Sequence, residues 1–337
     1  MFPVRMDSSD IRSWLPPLRR VRAMLHKMIL SSARAMAAIL CCLFVFTPLP
    51  CEAGNLRVLV VLSDSSSPYQ SFANTLSNSF PASIQASVLE QPEQVASQPP
   101  VDLIVSVGMK ATLSAITRTV APVLAVMIPK VGYAELLAQT SAQRRTQEVS
   151  AIYLDQPWVR QLDFIHAILP AHSNIGLLYS PNAHIDLAYL RQRVSEHGAT
   201  LVAKPVMSSE EIFSSLDELL ESSDVLLALP DNTIYNSINI RDILLSSYRY
   251  NIPFIGISQA YVTAGALGAI FSSPQQLSDQ ITATIISFAR TGKLPEPQYP
   301  RDFTIAVNPE VARSLDIELL PVDAIRSQMN VTNKGIP

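Results

Sequence analysis

The sequence predicts an α/β protein with two doubly wound parallel-sheet lobes joined by a hinge, behind a signal segment. Three observations predict it. Apolar, β-branched runs of strand length alternate with helix-compatible stretches, the pattern of a parallel sheet covered by helices. Most of these runs empty into short polar loops, where an open α/β sheet places its ligand crevice. The alternation stops at Pro170 and then restarts, so the chain builds the same kind of layer twice.

The first 53 residues stand apart from this pattern. They hold seven basic and three acidic residues, against 25 and 28 in the whole chain of 337. The remainder therefore carries 18 basic and 25 acidic groups, and no basic patch points to nucleic acid. Arg34 leads an apolar run, Ala35 to Phe46, and a Pro-containing break follows at Pro48 and Pro50. The run is shorter than the ~20 residues of a spanning helix. Cys51 and Ala53 are small enough for a cleavage site, so the segment reads as an export signal cut near Ala53, with a periplasmic destination. Met24 or Met28 is an alternative start that gives a conventional basic beginning. Lipid attachment at Cys51 is the alternative fate, although Pro48-Leu49-Pro50 is a poor context for it. All three cysteines (Cys41, Cys42, Cys51) lie in this segment, so the exported chain holds no disulfide. With 48% hydrophobic residues, core packing supplies its stability.

The first series starts with the strand Arg57 to Ser63 and a polar loop from Asp64 to Pro68. A helix over Tyr69 to Phe80 and a strand over Gln85 to Leu89 follow. After a Pro/Gln-rich connection come the strand Leu103 to Val107, ending at Gly108-Met109, and a helix from Lys110 to Thr117. Val123 to Ile128 is a fourth strand, stopped by Pro129. Val149 to Leu154 is a crossing strand, and Gln156 to Leu169 carries the helical stripe Trp158, Leu162, Ile165, Leu169.

The second series runs Asn174 to Tyr179 (strand), Ile185 to His197 (helix) and Thr200 to Val206 (strand). A helix opened by a capping-box pair, Ser208 and Glu211, continues to Ser222. The strand Val225 to Pro230 is the pivot of the chain. It delivers Asp231 and Asn232 to a strand end, and a helix is expected from Asn232 to Tyr250. Two roles stand open for this pair: capping that helix, or meeting a ligand. Ile252 to Ile257 then ends at Ser258. Ala266 to Phe271 is a strand, Ser273 caps a helix to Thr291, Pro295 to Pro300 connects, and Phe303 to Val307 is a last strand before a short helix from Pro309 to Leu315. The first lobe is expected over 54–150 plus about 265–295, and the second over 151–264. Residues 296–337 form a return segment, and crossings are expected near Val149–Gln156 and near Ser258–Ala266.

Other chemistry finds little support. No two histidines stand at i, i+4 and no cysteine accompanies them in the exported chain, which argues against a metal site or other cofactor. No nucleophile elbow or dinucleotide turn occurs, so no enzyme is expected. Met109 and Met127 read either as core or as an adaptable apolar cleft wall.

An ordered series of stretches resembles the substrate-binding proteins of ABC transporters with the type I periplasmic-binding fold, in the tryptophan- and tyrosine-type group. They are Tyr153-Leu154-Asp155-Gln156-Pro157 with Gln161-Leu162; Ile175 to Ser180; Pro230-Asp231-Asn232; Ile252 to Gly256; Val262 with Gly265-Ala266-Leu267; and Val307-Asn308-Pro309 with Ala312. The resemblance implies a small molecule held between the lobes and delivered to the membrane permease of an ABC importer. Its contacts would fall on Ser63, Gly108, Tyr179, Ser180, Asp231, Asn232 and Ser258, with Asp231 receiving an ammonium. The same fold without transport, as an exported ligand sensor or partner-binding protein, is the alternative. The chain departs from the family at Met109, at Pro181-Asn182-Ala183-His184 and at Pro129-Lys130. These departures leave the first lobe short of polar contacts and point to an apolar or bulky ligand.

Overall fold

A computed structural model describes residues 55–141, 147–183 and 185–332. The expected signal segment, the three cysteines and His184 lie outside them. The remainder forms two sheets with helices on their faces.

The first sheet has five parallel strands: β1 (Leu56–Leu62), β2 (Ile84–Leu89), β3 (Leu103–Val107), β4 (Val123–Ile128) and β5 (Val149–Tyr153), in the order β2-β1-β3-β4-β5. Of its inner strands, β3 is buried throughout and β1 from Val58 onward, as expected of a sheet covered on both faces. The covering helices are α1 (Ser67–Asn78), α2 (Met109–Arg118) and α3 (Lys130–Gln139). No sequence pattern announces α3. Its apolar residues do not gather on one face, so it has no helical stripe to find.

The chain then crosses through Leu154–Pro157 into α4 (Trp158–Ile168) and the second sheet. That sheet holds β6 (Asn174–Tyr179), β7 (Thr200–Pro205), β8 (Val225–Leu227), β9 (Phe254–Gly256), β10 (Gly268–Phe271) and β11 (Thr304–Val307). Their order is β11-β10-β9-β8-β6-β7, with only β11 antiparallel to its neighbour. Helices α5 (Leu187–Glu196), α6 (Ile212–Leu220), α7 (Ile240–Arg249) and α8 (Gln259–Ala264) complete its units. From β10 the chain returns to the first lobe as α9 (Pro274–Thr291), then comes back as β11, α10 (Pro309–Ser314) and α11 (Val322–Thr332).

This corrects the expected threading. The strand over Ala266–Phe271 belongs to the second sheet, paired with β9 on one side and β11 on the other. Gly265, at φ +122°, turns the chain straight back after α8, so β10 lies beside β9. Gly268 packs so close to the Phe164 ring that a β-carbon would sit 2.9 Å from it. The second crossing therefore falls at Ser272–Ser273, not at Ser258–Ala266. α9 starts there with a full capping box. The Ser273 hydroxyl accepts from the Gln276 amide (3.2 Å), and the Gln276 side chain accepts from the Ser273 amide (2.8 Å). Its buried Leu277, Ile281, Ile285 and Phe288 join Val58, Leu62, Phe72 and Leu76 in the first-lobe core.

The crossings are tied together. Gln156, buried in the first, donates to the Ser272 hydroxyl in the second (2.9 Å), and Ser272 donates to the Asp302 carbonyl in the third (2.6 Å). Arg160 donates to both the Gln156 side chain (2.6 Å) and the Pro300 carbonyl (2.9 Å), with its guanidinium over the Phe303 ring. The third crossing also pairs with β5, where the Tyr153 amide donates to the Gln298 carbonyl.

Candidate functional site

Both sheets reverse direction at one point. Strand order turns between β1 and β3 in the first, and between β6 and β8 in the second. Loops leave such a point in opposite directions, and the crevice they open at the carboxyl ends is where doubly wound sheets bind ligands. Here β5 and β10 run from their carboxyl ends directly into crossings, so these strand ends adjoin the junction of the lobes. Ser63 and Gly108 follow β1 and β3. Tyr179 ends β6, Ser180 follows it, and Asp231 lies beyond β8.

In the first lobe the switch point is closed by the chain itself. The Ser63 hydroxyl donates to the Val107 carbonyl (2.9 Å) and accepts from the Ala111 amide (3.1 Å), capping α2 from outside it. Gly108 stands at φ +89°, ψ 174°, backbone space reserved for glycine. A β-carbon there would meet Ser63 Oγ at 2.6 Å and the Tyr69 hydroxyl at 2.7 Å. Tyr69 therefore lies against both positions. Burial holds its phenol above the usual tyrosine range. No sequence motif marks Tyr69, which sits inside α1 next to Pro68. No local signal ties it to Gly108, 39 residues on.

In the second lobe a carboxylate bridges the switch point. Asp231 Oδ2 accepts from the Ser180 amide (2.8 Å) and Oδ1 from the Thr233 amide (3.0 Å). The Ser180 hydroxyl is buried and has no hydrogen-bond partner. Asn232 is exposed, and Tyr179 is half-buried against the core. Ser258 precedes α8 without capping it through its side chain. No long helix starts at Asn232. Residues 232–239 form turns, because Asn236 accepts from the amides of Ile238 and Asn239 and donates to the Asn232 carbonyl. Asparagine side chains that bond nearby backbone in this way compete with helix, and α7 begins only at Ile240. Beneath the turns, the buried Tyr235 donates to the Leu178 carbonyl, and Tyr261 donates to the Tyr235 carbonyl.

The structure thus brings four of the seven named residues together as two clusters, Ser63–Gly108 and Ser180–Asp231, one at each switch point, and Tyr179, Asn232 and Ser258 are not part of either bonding pattern. Met109 is partly exposed, its sulfur packed over Gly132, and Met127 lies against the first-lobe core at the irregular end of β4. A cavity of about 610 Å³ opens elsewhere, lined by the latter half of α4 and by Glu318, Leu320 and Gln328.

The sequence model described as ABC transporter substrate binding protein matches residues 83–324. The chain belongs to the ABC transporter substrate-binding protein family. This is a family of solute-binding proteins that work with membrane permeases, not a family of enzymes. A relative described as "Tyrosine-binding protein", from Clostridioides difficile, is 22% identical over 173 residues, half of this chain and 49% of that protein. The match therefore spans about half the length of that relative. Among solved structures, an ABC domain in complex with L-Trp from Streptococcus pneumonia superposes with a TM-score of 0.56 at 18% identity, covering 80% of this chain and 98% of that one. The ligand-free, open form of a substrate-binding protein with adhesive properties, from Clostridium difficile, gives 0.61 at 16% identity, covering 80% and 97%. These likenesses establish the two-lobed fold of the family. No described helix of this ABC substrate-binding protein is long and apolar enough to cross a membrane.

Proposed function

We propose that the chain is exported and binds an aromatic or other apolar amino acid between its lobes. Closure then presents the loaded form to the permease of an ABC importer, and no bond of the ligand is made or broken. The observation that carries this reading is the Ser180 hydroxyl. A buried hydroxyl without a partner costs stability. This one sits at a switch point, beside a carboxylate that fixes its backbone. Such a group is held ready for a ligand. Asp231 spends both oxygens on the protein, so its part is to aim Ser180 and lend negative charge to a ligand ammonium. The names of the relatives support an aromatic amino acid, and the half-exposed Met109 and Tyr179 suit an apolar side chain.

The test is a thermal-shift screen of the purified protein against the twenty amino acids, nucleosides and small aromatic acids. A ligand at 100-fold its dissociation constant stabilises by ~2.7 kcal/mol. Stabilisation by L-tryptophan or L-tyrosine is the expected result, while stabilisation by nucleosides alone would refute the amino-acid reading. N-terminal sequencing of the exported protein is expected to begin at Gly54.

A further inference from the structure

We infer that Tyr69 is the specificity-determining residue of the first lobe: its ring, rather than Ser63 or Gly108, is the surface a ligand meets there. This inference rests on the ligand-binding reading above. A ligand crevice at the β1/β3 switch point is expected from the sheet order, and Gly108 lacks the side chain that would block it. The space is not empty, however. The Tyr69 hydroxyl lies 2.7 Å, and its Cζ 3.1 Å, from where a Gly108 β-carbon would be. The glycine makes room for the chain's own phenol.

The Ser63 hydroxyl has already committed its only proton. A hydroxyl has one proton and two lone pairs. Its proton goes to the Val107 carbonyl and one lone pair takes the Ala111 amide, while the Tyr69 hydroxyl crowds the same side of Gly108. A ligand polar group arriving here would have to displace a satisfied network. Pro68, in the first turn of α1, fixes the backbone that carries Tyr69. The tyrosine is half-buried against the first-lobe core, and its hydroxyl reaches the strand ends beside Gly108. The ring keeps some exposure, and the partly exposed Met109 directly follows the Gly108 that the Tyr69 hydroxyl approaches. An aromatic ring held this way selects flat or apolar ligand groups by area and edge-to-face geometry. Met109 adds a polarizable contact that adapts to the ligand's outline. The polar anchor is then confined to the second lobe, at Ser180.

Calorimetric titration of wild type, Tyr69→Phe and Tyr69→Ala with L-tryptophan, L-tyrosine, L-alanine and L-serine tests this. Tyr69→Phe keeps the ring and is expected to hold L-tryptophan within about threefold of wild type. Tyr69→Ala is expected to weaken L-tryptophan at least about tenfold and to lower its preference over L-alanine by a similar factor. Tyr69→Leu carries the same expectation and keeps apolar bulk where the alanine variant fails to fold. Equal weakening for all four amino acids would mean that Tyr69 only supports the fold, which overturns the inference. Unchanged tryptophan affinity in both Tyr69→Ala and Tyr69→Leu overturns it too, while leaving the binding reading intact. A wild type that binds neither aromatic amino acid overturns both.

Discussion

The two switch points solve one geometric problem with opposite leftovers. Each must hold the ends of two diverging strands together. In the first lobe Ser63, on the β1 side, reaches to β3 and α2, and the Tyr69 hydroxyl fills the space over Gly108. In the second, Asp231, on the β8 side, reaches back to β6, and the Ser180 hydroxyl is left over. The lobes are alike in topology and unlike in what they offer. One presents a finished, largely apolar edge, and the other an unfinished polar one. A ligand is expected to gain its directional bonds in the second lobe and its apolar contact from the first. Lobe closure then buries the ligand without asking the first lobe to break bonds of its own.

Four expected outcomes break or sharpen this comparison. The largest effect belongs to Gly108→Ala. The new methyl group collides with Ser63 and Tyr69 at a backbone angle that L residues rarely adopt. Urea unfolding is expected to show a loss of about 3 kcal/mol or more. A mild effect would mean that the first switch point is loosely built.

Asp231→Ala comes next. It orphans the amides of Ser180 and Thr233 and is expected to cost about 2 kcal/mol in stability. Affinity for the ligand found by screening should fall as well. Asp231→Asn retains one carbonyl acceptor and loses the charge, so about half the stability cost should remain. Affinity unchanged in both variants would reduce Asp231 to a turn brace.

Ser180→Ala inverts the pattern of Gly108→Ala. It removes a hydroxyl that has no partner in the unliganded protein, so stability should stay within about 0.5 kcal/mol of wild type. Affinity is expected to drop about tenfold. A clear loss of stability with intact binding would erase the asymmetry between the lobes.

The smallest effect is a pH response confined to the second lobe, where all the described histidines lie. His197 bonds through Nε2 to the buried Asp163 (3.0 Å). That bond, with the Arg193 carbonyl and the nearby Glu196, holds its pKa above the usual histidine value against the effect of burial. The stabilisation is thus full below about pH 6.5, the unfolded value, and is lost as pH rises through the folded pKa. His172 runs the other way. Burial lowers its pKa more than Asp224 raises it, so it destabilises the fold as pH falls through and below 6.5. Hydrogen exchange on α4 and α5 should therefore speed up as pH rises above 6.5, after correction for intrinsic rates, and His197→Gln should flatten that trend. The same response in α1 and α2 would contradict it.

Much of this was legible locally. β1, β3 and β4 are largely apolar runs rich in β-branched residues, and Ser273 followed by Pro274 and Gln276 announces α9. The pivot strand was legible as a buried run delivering Asp231 to a strand end. What Asp231 does there was not, because its partner Ser180 lies 51 residues away. Nor does a strand's own sequence say which sheet it joins, so β10 was assigned to the wrong neighbours. Tyr69 shows the same limit. Its meaning comes from a void at Gly108, and a void is made by tertiary contact rather than by pattern.

The path of α9 has a consequence for how the protein comes into being. Leu277, Ile281, Ile285 and Phe288 close the core over Val58, Leu62, Phe72 and Leu76, yet the whole of β6 to β10 is synthesised between them. Domains made of one continuous stretch fold in turn as they emerge. This first lobe has no such opportunity. A nascent chain ending at Tyr153 has all five strands of the first sheet but lacks the helix that seals one face. It must wait, incompletely packed, while its neighbour is made. The amino-terminal lobe is thus completed late, and the chain stays pliable enough to be threaded until α9 has been delivered.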